Sequence, residues 1–422
     1  MLCSLICGCA DSNEPNNIAY VTAVGIDRSK NNKENYDITF QIAKPTQISG
    51  GASEEGGKGG EIIQNITVEA PTIYAGIETA NFIISKMISL SHVKLFVFSE
   101  KIAREGISDI TETMTRSEEI RPNVYLAVAK NSSKEYLESV KPSAEINPAK
   151  YYQAKFDKEI LGGIPKCTNN SFYFYQKTSE KNAVMPIASK LENKSEDIKT
   201  EENNESQGEY NIPVENKEQK NAPVNESSFE YKIKDYKAGQ VAITEENESE
   251  IMGMALFSGD KMIGELGSID TLMYNIITNR FEHGYVTFAS EKTEKPITIF
   301  LKRTDKTKIY YNKKEEKAKI NLFLEGEFIS LPSDYITEKD TKNFEKEIKS
   351  AFYKAFNDFS YKLQNEFKSD ILGIGLSAKT GFLTYDEFID YKWQEKYPEI
   401  DVDFNINFKI ERTGLTIRSE NK

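Results

Sequence analysis

Apolar and polar positions alternate most strictly near the C-terminus. Val402, Phe404, Ile406, Phe408 and Ile410 are separated by Asp403, Asn405, Asn407, Lys409 and Glu411. No helix has a period of two, so the segment predicts a strand with one face on a core and one in water. The same alternation marks Tyr36–Ile42, and Ile18–Asp27 reads as a neighbouring strand; Ser29–Asn32 between them is a turn, which makes an antiparallel hairpin. Ile62–Val68 predicts a third strand. From Thr72 to Met87 the apolar residues Ile73, Ile77, Ala80, Ile84 and Met87 fall on one helical face. Val93–Phe98 and Val124–Ala129 are nearly continuous apolar runs, expected of strands covered on both sides. The helix predicted between them, Glu100 to about Arg116 with Ser99 as its cap, completes a βαβ unit.

Further along, a helix is predicted around Ala149–Ile160. Ile251–Phe257 and Met262–Leu266 flank the turn Ser258–Lys261 and predict a second hairpin. Ile297–Leu301 and Ile320–Leu324 read as strands. Thr337 and Asp340 have capping-box-like spacing ahead of Phe344, Ile348, Ala351, Phe352, Ala355, Phe356, Phe359 and Leu363, the stripe of one long amphipathic helix. A last helix is predicted over Tyr385–Lys396. Leu191–Ser228 is Glu, Asn, Lys, Ser, Gln and Pro with almost nothing to bury, so it is expected to be disordered. The fold class is therefore α+β, or mixed α/β, in three domains, each a sheet packed with helices. Their expected bounds are 18–142, 143–284 with the insertion 191–228, and 285–414. A signal remnant at 1–9 and a tether at 10–17 precede them, and a tail at 415–422 follows.

Net charge is −12 over 422 residues. Nucleic acid is an unsuitable partner for such a chain, because a phosphate backbone demands a basic face. Only His92 and His283 are present, and the motifs of zinc proteases, redox dithiols and serine hydrolases are absent. Gly57-Lys58 sits in a Gly-rich stretch. However, Ala52 and Gly59 stand where a phosphate loop needs its first glycine and its Ser or Thr. No catalytic residue, metal site or cofactor is expected. His92 suits a capping or hydrogen-bonding role, the Phe344–Phe359 aromatics suit a core, and the pairs Glu118-Glu119 and Glu245-Glu246 suit solvated surface. Cys167, Phe172, Tyr173, Phe174 and Tyr175 form an apolar cluster that fits either a core or an interface with another subunit.

The cysteines change the picture at the other end. Leu5-Ile6-Cys7-Gly8-Cys9, followed by Asp11-Ser12-Asn13-Glu14, has the shape of a bacterial lipoprotein signal cleaved before Cys9. The segment ahead of Cys9 is short and has no Lys or Arg, so a basic, apolar leader is expected upstream of the written start. The competing reading is a cytosolic chain with an accidental Cys-rich beginning. A diacylglyceryl thioether at Cys9 supplies two acyl chains, each buried methylene contributing roughly 0.8 kcal/mol, and two chains hold a folded domain on a membrane stably. Cleavage and acylation leave Cys167 without a disulfide partner, so packing must stabilise the mature chain.

Five stretches, in order, resemble one family. Cys9-Ala10-Asp11 through Ala19–Asp27 is similar to the opening of the Ger(x)C-type spore germination lipoproteins, the C subunits of nutrient germinant receptors. Ser91–Leu95 with Ser99–Ile107, Gly253–Gly264, Asp370–Gly375 and Ile410–Gly414 resemble its later blocks. Ala10 stands where the family usually has Trp, which leaves the acylated cysteine intact. The resemblance implies a three-domain α/β protein, lipid-anchored to the outer, extracytoplasmic face of the spore inner membrane. There it would act with two integral-membrane partners, an A and a B subunit, to trigger germination in response to small nutrients. The family has no known catalytic residues, so the resemblance transfers none. Two other readings remain at this stage, a solute-binding lipoprotein that captures the nutrient itself and a wall-lytic enzyme. Calorimetry with candidate germinants and a muropeptide release assay separate them from the first.

Overall fold

The computed structural model describes residues 17–44, 62–142, 148–157, 163–191, 231–233, 236–240, 248–290, 293–330 and 338–412. Cys9, the Gly57-Lys58 loop, the Glu245-Glu246 pair, the cap at Thr337 and all of the Leu191–Ser228 insertion except Leu191 lie outside them.

β1 (Ile18–Arg28) and β2 (Tyr36–Ala43) form the expected hairpin, with Val24 opposite Phe40 and Ile26 opposite Ile38. Ser29 holds the turn by accepting from the Asn31 and Asn32 amides. β3 (Ile63–Ala70) pairs antiparallel with β2. α1 (Ile73–Asn81), capped by the Thr72 hydroxyl, is shorter than the helix predicted to Met87. The Asn81 side chain accepts from the Ile88 amide at 2.9 Å, and Met87–Ser89 turns into a short strand, β4, parallel to Ile18–Tyr20.

β5 (Leu95–Ser99) pairs parallel with β1 on one side and with β6 (Tyr125–Ala129) on the other. The connection between β5 and β6 is helical, as the βαβ reading requires, but it is two helices, α2 (Glu100–Glu105) and α3 (Ser108–Arg116). Gly106 breaks them at φ 123°, a conformation that favours glycine. The break is held from outside, since the Asp260 carbonyl and carboxylate accept from the Ile107 and Ser108 amides. Ser99 lies at the N-cap position without a side-chain capping bond.

Next come α4 (Ser133–Ser139), α5 (Pro148–Phe156), α6 (Asn169–Lys177), β7 (Val184–Lys190), β8 (Tyr231–Ile233), β9 (Ser249–Ser258) and β10 (Lys261–Leu266). β9 and β10 form the expected second hairpin. The boundary expected at 142 does not interrupt the sheet: nine strands run in the order β10-β9-β7-β6-β5-β1-β2-β3, with β4 beside β1. The reason lies in β7, whose residues Val184–Ser189 are all buried. Such a strand needs a neighbour at each edge, and it has β6 in parallel and β9 antiparallel.

The second sheet contains six strands: β11 (His283–Ser290), β12 (Thr293–Arg303), β13 (Lys308–Asn312), β14 (Lys317–Ser330), β8 and β15 (Asp401–Arg412). The strands that fall within the expected middle domain, 143–284, are thus divided between two sheets, the expected hairpin lying in the first and the unforeseen β8 in the second, and the class is mixed α+β. β15 is the alternating segment, and it pairs parallel with β14 from Lys317↔Asp401 onward. Its inward residues Phe404, Ile406 and Phe408 meet α8 (Glu338–Tyr361), where Phe356 stacks on Phe404 at 5.4 Å and Phe352 lies 5.8 Å from Phe408. Phe344, Phe352, Phe356 and Phe359 are all core. Lys362–Glu366 continues α8 as a π turn; then follow α9 (Ile374–Lys379), α10 (Tyr385–Asp390) and α11 (Trp393–Lys396). The single helix predicted over Tyr385–Lys396 is split where Lys392 adopts φ 54°. α7 (Ser268–Ile277) joins the two sheets: Met273, Tyr274, Ile276 and Ile277 belong to one core with Met254 and Leu256 of β9 and with Ile297 and Ile299 of β12.

Candidate interaction surfaces

The aromatic cluster singled out in the sequence sits on α6, which Thr168 and Ser171 cap reciprocally. It divides by face. Phe172 is fully buried, edge-on to Phe257 at 5.0 Å, so it belongs to the core. The Tyr173 ring lies under the Lys177 ammonium, and the Tyr175 ring faces that of Lys181 at 5.2 Å. Phe174 alone turns outward, 52% exposed. Cys167, just before the helix, is buried, and burial pushes its thiol up to about 12, so it is not a reactive thiolate at neutral pH.

Most of the motif residues act inside the fold. Gly25 lets α4 approach β1: a Cβ there would lie 2.7 Å from the Ser133 hydroxyl and 2.9 Å from Leu137. Two residues on, the Asp27 carboxylate accepts from the Ser133 and Lys134 amides at 3.0 Å and from the Ser133 hydroxyl at 2.7 Å, which satisfies the first turn of that helix. His92 is exposed; it lies edge-on to Tyr20 and shares a hydrogen bond with Ser91. Glu119, expected on solvated surface, is half-buried instead and accepts from the Leu90 amide at 2.7 Å and the Ser89 hydroxyl at 2.5 Å.

Asp370 is the most enclosed of these groups. Its two oxygens accept from the Gly373, Ile374 and Gly375 amides and from the indole N–H of Trp393, the only tryptophan in the chain. Burial raises its carboxyl above the ordinary range while the four donors work the other way. Around it residues 179–182, just ahead of β7 in the first sheet, are bound to residues 369–394, which follow α8. Asn182 donates from its amide nitrogen to the Asp370 carbonyl and from its side chain to Ser369, both at 2.7 Å. Gln394 donates to the Ser179 carbonyl, and Lys379 to the buried Glu180 carboxylate at 2.7 Å. Phe367 lies against Gly264, and Lys362 pairs with Asp270 at 2.8 Å.

A different surface lies where the chain enters the first sheet. β1 begins at Ile18, directly beside Met87 of β4. Between α1 and β4 the loop carries Phe82 at 92% exposure, Ile83 at 65% and, at its end, Met87 at 57%. Ile84 alone packs on the core. The predicted helix ran through these residues and placed Met87 on its apolar stripe with Ile73, Ile77, Ala80 and Ile84, whereas Met87 is exposed; Phe82 and Ile83 fall off that stripe, and that mismatch was the available signal.

Among the described residues no three His, Cys, Asp or Glu side chains gather in a metal-holding arrangement, and no helix is long and apolar enough to cross a membrane. Residues 11–190 match the family described as "Spore germination protein N-terminal domain", and residues 252–414 match "Spore germination B3/ GerAC like, C-terminal". The chain is 29% identical to spore germination protein KC of Bacillus subtilis over 140 residues, 32% of this chain and 34% of that protein. It is 26% identical to the putative spore germination protein YfkR of the same organism over 32% of this chain and 35% of that one. These two alignments therefore span about a third of either relative. With spore germination protein GerQC of Bacillus cereus it shares 21% identity over 78% of this chain and 77% of that protein. The crystal structure of the GerBC protein has the same fold, with a TM-score of 0.51 at 14% identity over 92% of this chain and 96% of that one. With both modules matched in order, the chain belongs to the Ger(x)C-type spore germination protein family of germinant-receptor C subunits.

Proposed function

We propose that this chain is a non-enzymatic, lipid-anchored subunit of a spore nutrient germinant receptor. It sits on the extracytoplasmic face of the spore inner membrane through a diacylglyceryl group on Cys9, and it acts with integral-membrane A and B subunits to trigger germination in response to small nutrients. The observation that carries the reading is the paired match of the two germination-protein modules, residues 11–190 and 252–414, in a single chain. The chemistry of the described residues agrees with it. The carboxylates with the most hydrogen bonds, Asp27 and Asp370, receive them from the fold's own amides, hydroxyls and indole. Phe174 presents an apolar group outward, as surfaces that meet a partner do.

Deletion of the gene tests the proposal. The expected outcome is loss of germination with a subset of nutrients and normal vegetative growth; normal nutrient germination in a strain with no redundant receptor rejects it. The anchor is tested separately by the mass of the mature chain and by fractionation, where Cys9→Ala is expected to move the protein from the membrane pellet to the wash.

A further inference from the structure

We propose that the loop between α1 and β4 is a bilayer-contacting tip, in which Phe82, Ile83 and Met87 enter the interfacial region of the phospholipid leaflet that holds the lipid anchor. The inference rests on the reading of Cys9 as the acylated residue. Single exposed apolar side chains are ordinary on a protein surface, but three of this size within six residues form a patch. The patch is not a frayed end. The Asn81 side chain pins the Ile88 amide on one side, and Glu119 pins the Leu90 amide and the Ser89 hydroxyl on the other. Ile84 is packed on the core beneath it. The loop is therefore a fixed projection whose outward groups are apolar, with Lys86 exposed among them to meet phosphate head groups.

Its place in the fold selects lipid as the occupant. Ile18 and Met87 are register partners, so the chain arrives from Cys9 at the same corner that displays the patch. Seven residues separate Cys9 from Asn17, and the eight residue-to-residue steps span at most about 29 Å when fully extended. An acyl group in the leaflet thus keeps this corner near the membrane, and a tip that enters the interface adds a second, weaker contact to the first, which fixes the orientation of the sheet as well as its location.

The test separates the tip from the anchor. The full chain with Cys9→Ser and an N-terminal histidine tag is held on phosphatidylglycerol–phosphatidylcholine vesicles by a nickel-chelating lipid, which sets the terminus at the bilayer whether or not Cys9 is acylated in cells. Phe82→Trp then supplies a reporter beside the buried native Trp393. Brominated acyl chains are expected to quench the added emission and the vesicles to shift it to the blue, while Leu383→Trp, 95% exposed on the second module, stays unquenched. Absence of quenching at position 82, or equal quenching at 383, overturns the tip. So does the finding that Phe82→Ser with Ile83→Ser abolishes co-purification with integral-membrane proteins while Trp at position 82 stays unquenched, because the occupant is then a protein. Failure of the anchor reading shows elsewhere, as an unmodified Cys9 in the mass of the native chain.

Discussion

Glu180 and Asp370 show how two carboxylates a few residues apart in space are set in opposite directions by their partners. Burial works to raise both. At Glu180 burial is the largest single influence, but the hydrogen bond from Lys379, those from its own backbone and the Thr178 side chain, and the Lys379 charge together outweigh it, and the carboxyl lies below its ordinary value. At Asp370 every donor is a neutral N–H, and burial prevails. The linkage signs follow. A carboxyl lowered on folding contributes stability that is present above its unfolded value, 4.5 for Glu, and is lost as pH falls through the folded value; a raised one does the reverse. The two therefore oppose each other in acid, and the wild-type curve alone does not separate them. Glu180→Gln does. The thermal midpoint of the wild type is expected to exceed that of Glu180→Gln near neutral pH, and the gap is expected to close as pH falls below 4.5. A gap that stays constant with pH means that the Lys379 pair contributes nothing through charge.

At the scale of elements, α6 gives the clearest contrast between neighbours. Phe172 fills the core against Phe257, whereas Phe174 projects from the opposite face. Phe172→Ala is expected to destabilise the chain by about 3–5 kcal/mol through the cavity it leaves. Phe174→Ser is expected to change stability by no more than about 0.5 kcal/mol. Denaturant unfolding checks both, and a large loss with Phe174→Ser shows that its ring is packed after all. The sequence could not assign these two, because an aromatic run on a nine-residue helix reads the same whichever face meets the core. Strands were more legible: β15 declares itself by period, and β5 and β6 by apolar runs that only a covered strand supports. Helix ends were less so. α1 stops where Asn81 captures an amide seven residues away, and α2 stops where Asp260, more than 150 residues downstream, takes the next two amides. Long-range captures of this kind leave no local periodicity to read. The site residues followed the same rule. Gly25 and Asp27 stood in a motif whose purpose, docking and capping α4, appears only when residue 133 is in place. The tip at Phe82 was concealed inside a helix drawn too long.

Among the described residues the molecule is two sheets joined through one core, while the first sheet packs two further cores of its own, and the expected middle domain is the material that joins them. β7, β9 and β10 extend the first sheet, β8 edges the second, and α7 lies between. What keeps the sheets at a fixed distance is close approach at two glycines. A Cβ at Gly264 would lie 2.1 Å from the Phe367 ring, and one at Gly375 would lie 2.2 Å from the Glu180 carbonyl and 2.5 Å from the Trp393 indole nitrogen. The obstacles differ in kind. The Phe367 ring is half-buried and can swing toward solvent, so Gly264→Ala is expected to be partly absorbed. The Glu180 carbonyl is backbone in a segment tied by Asn182 and Ser179 to the other module, and it has nowhere to go. Gly375→Ala must therefore separate the modules or displace Trp393 from Asp370. Its signature is a red-shifted Trp393 emission together with a lowered unfolding midpoint, while Gly264→Ala lowers the midpoint less and leaves the emission unchanged. If the two variants prove equal, with Trp393 undisturbed in both, the joint at Glu180 and Asp370 does not hold the modules together, and the shared α7 core must do so alone.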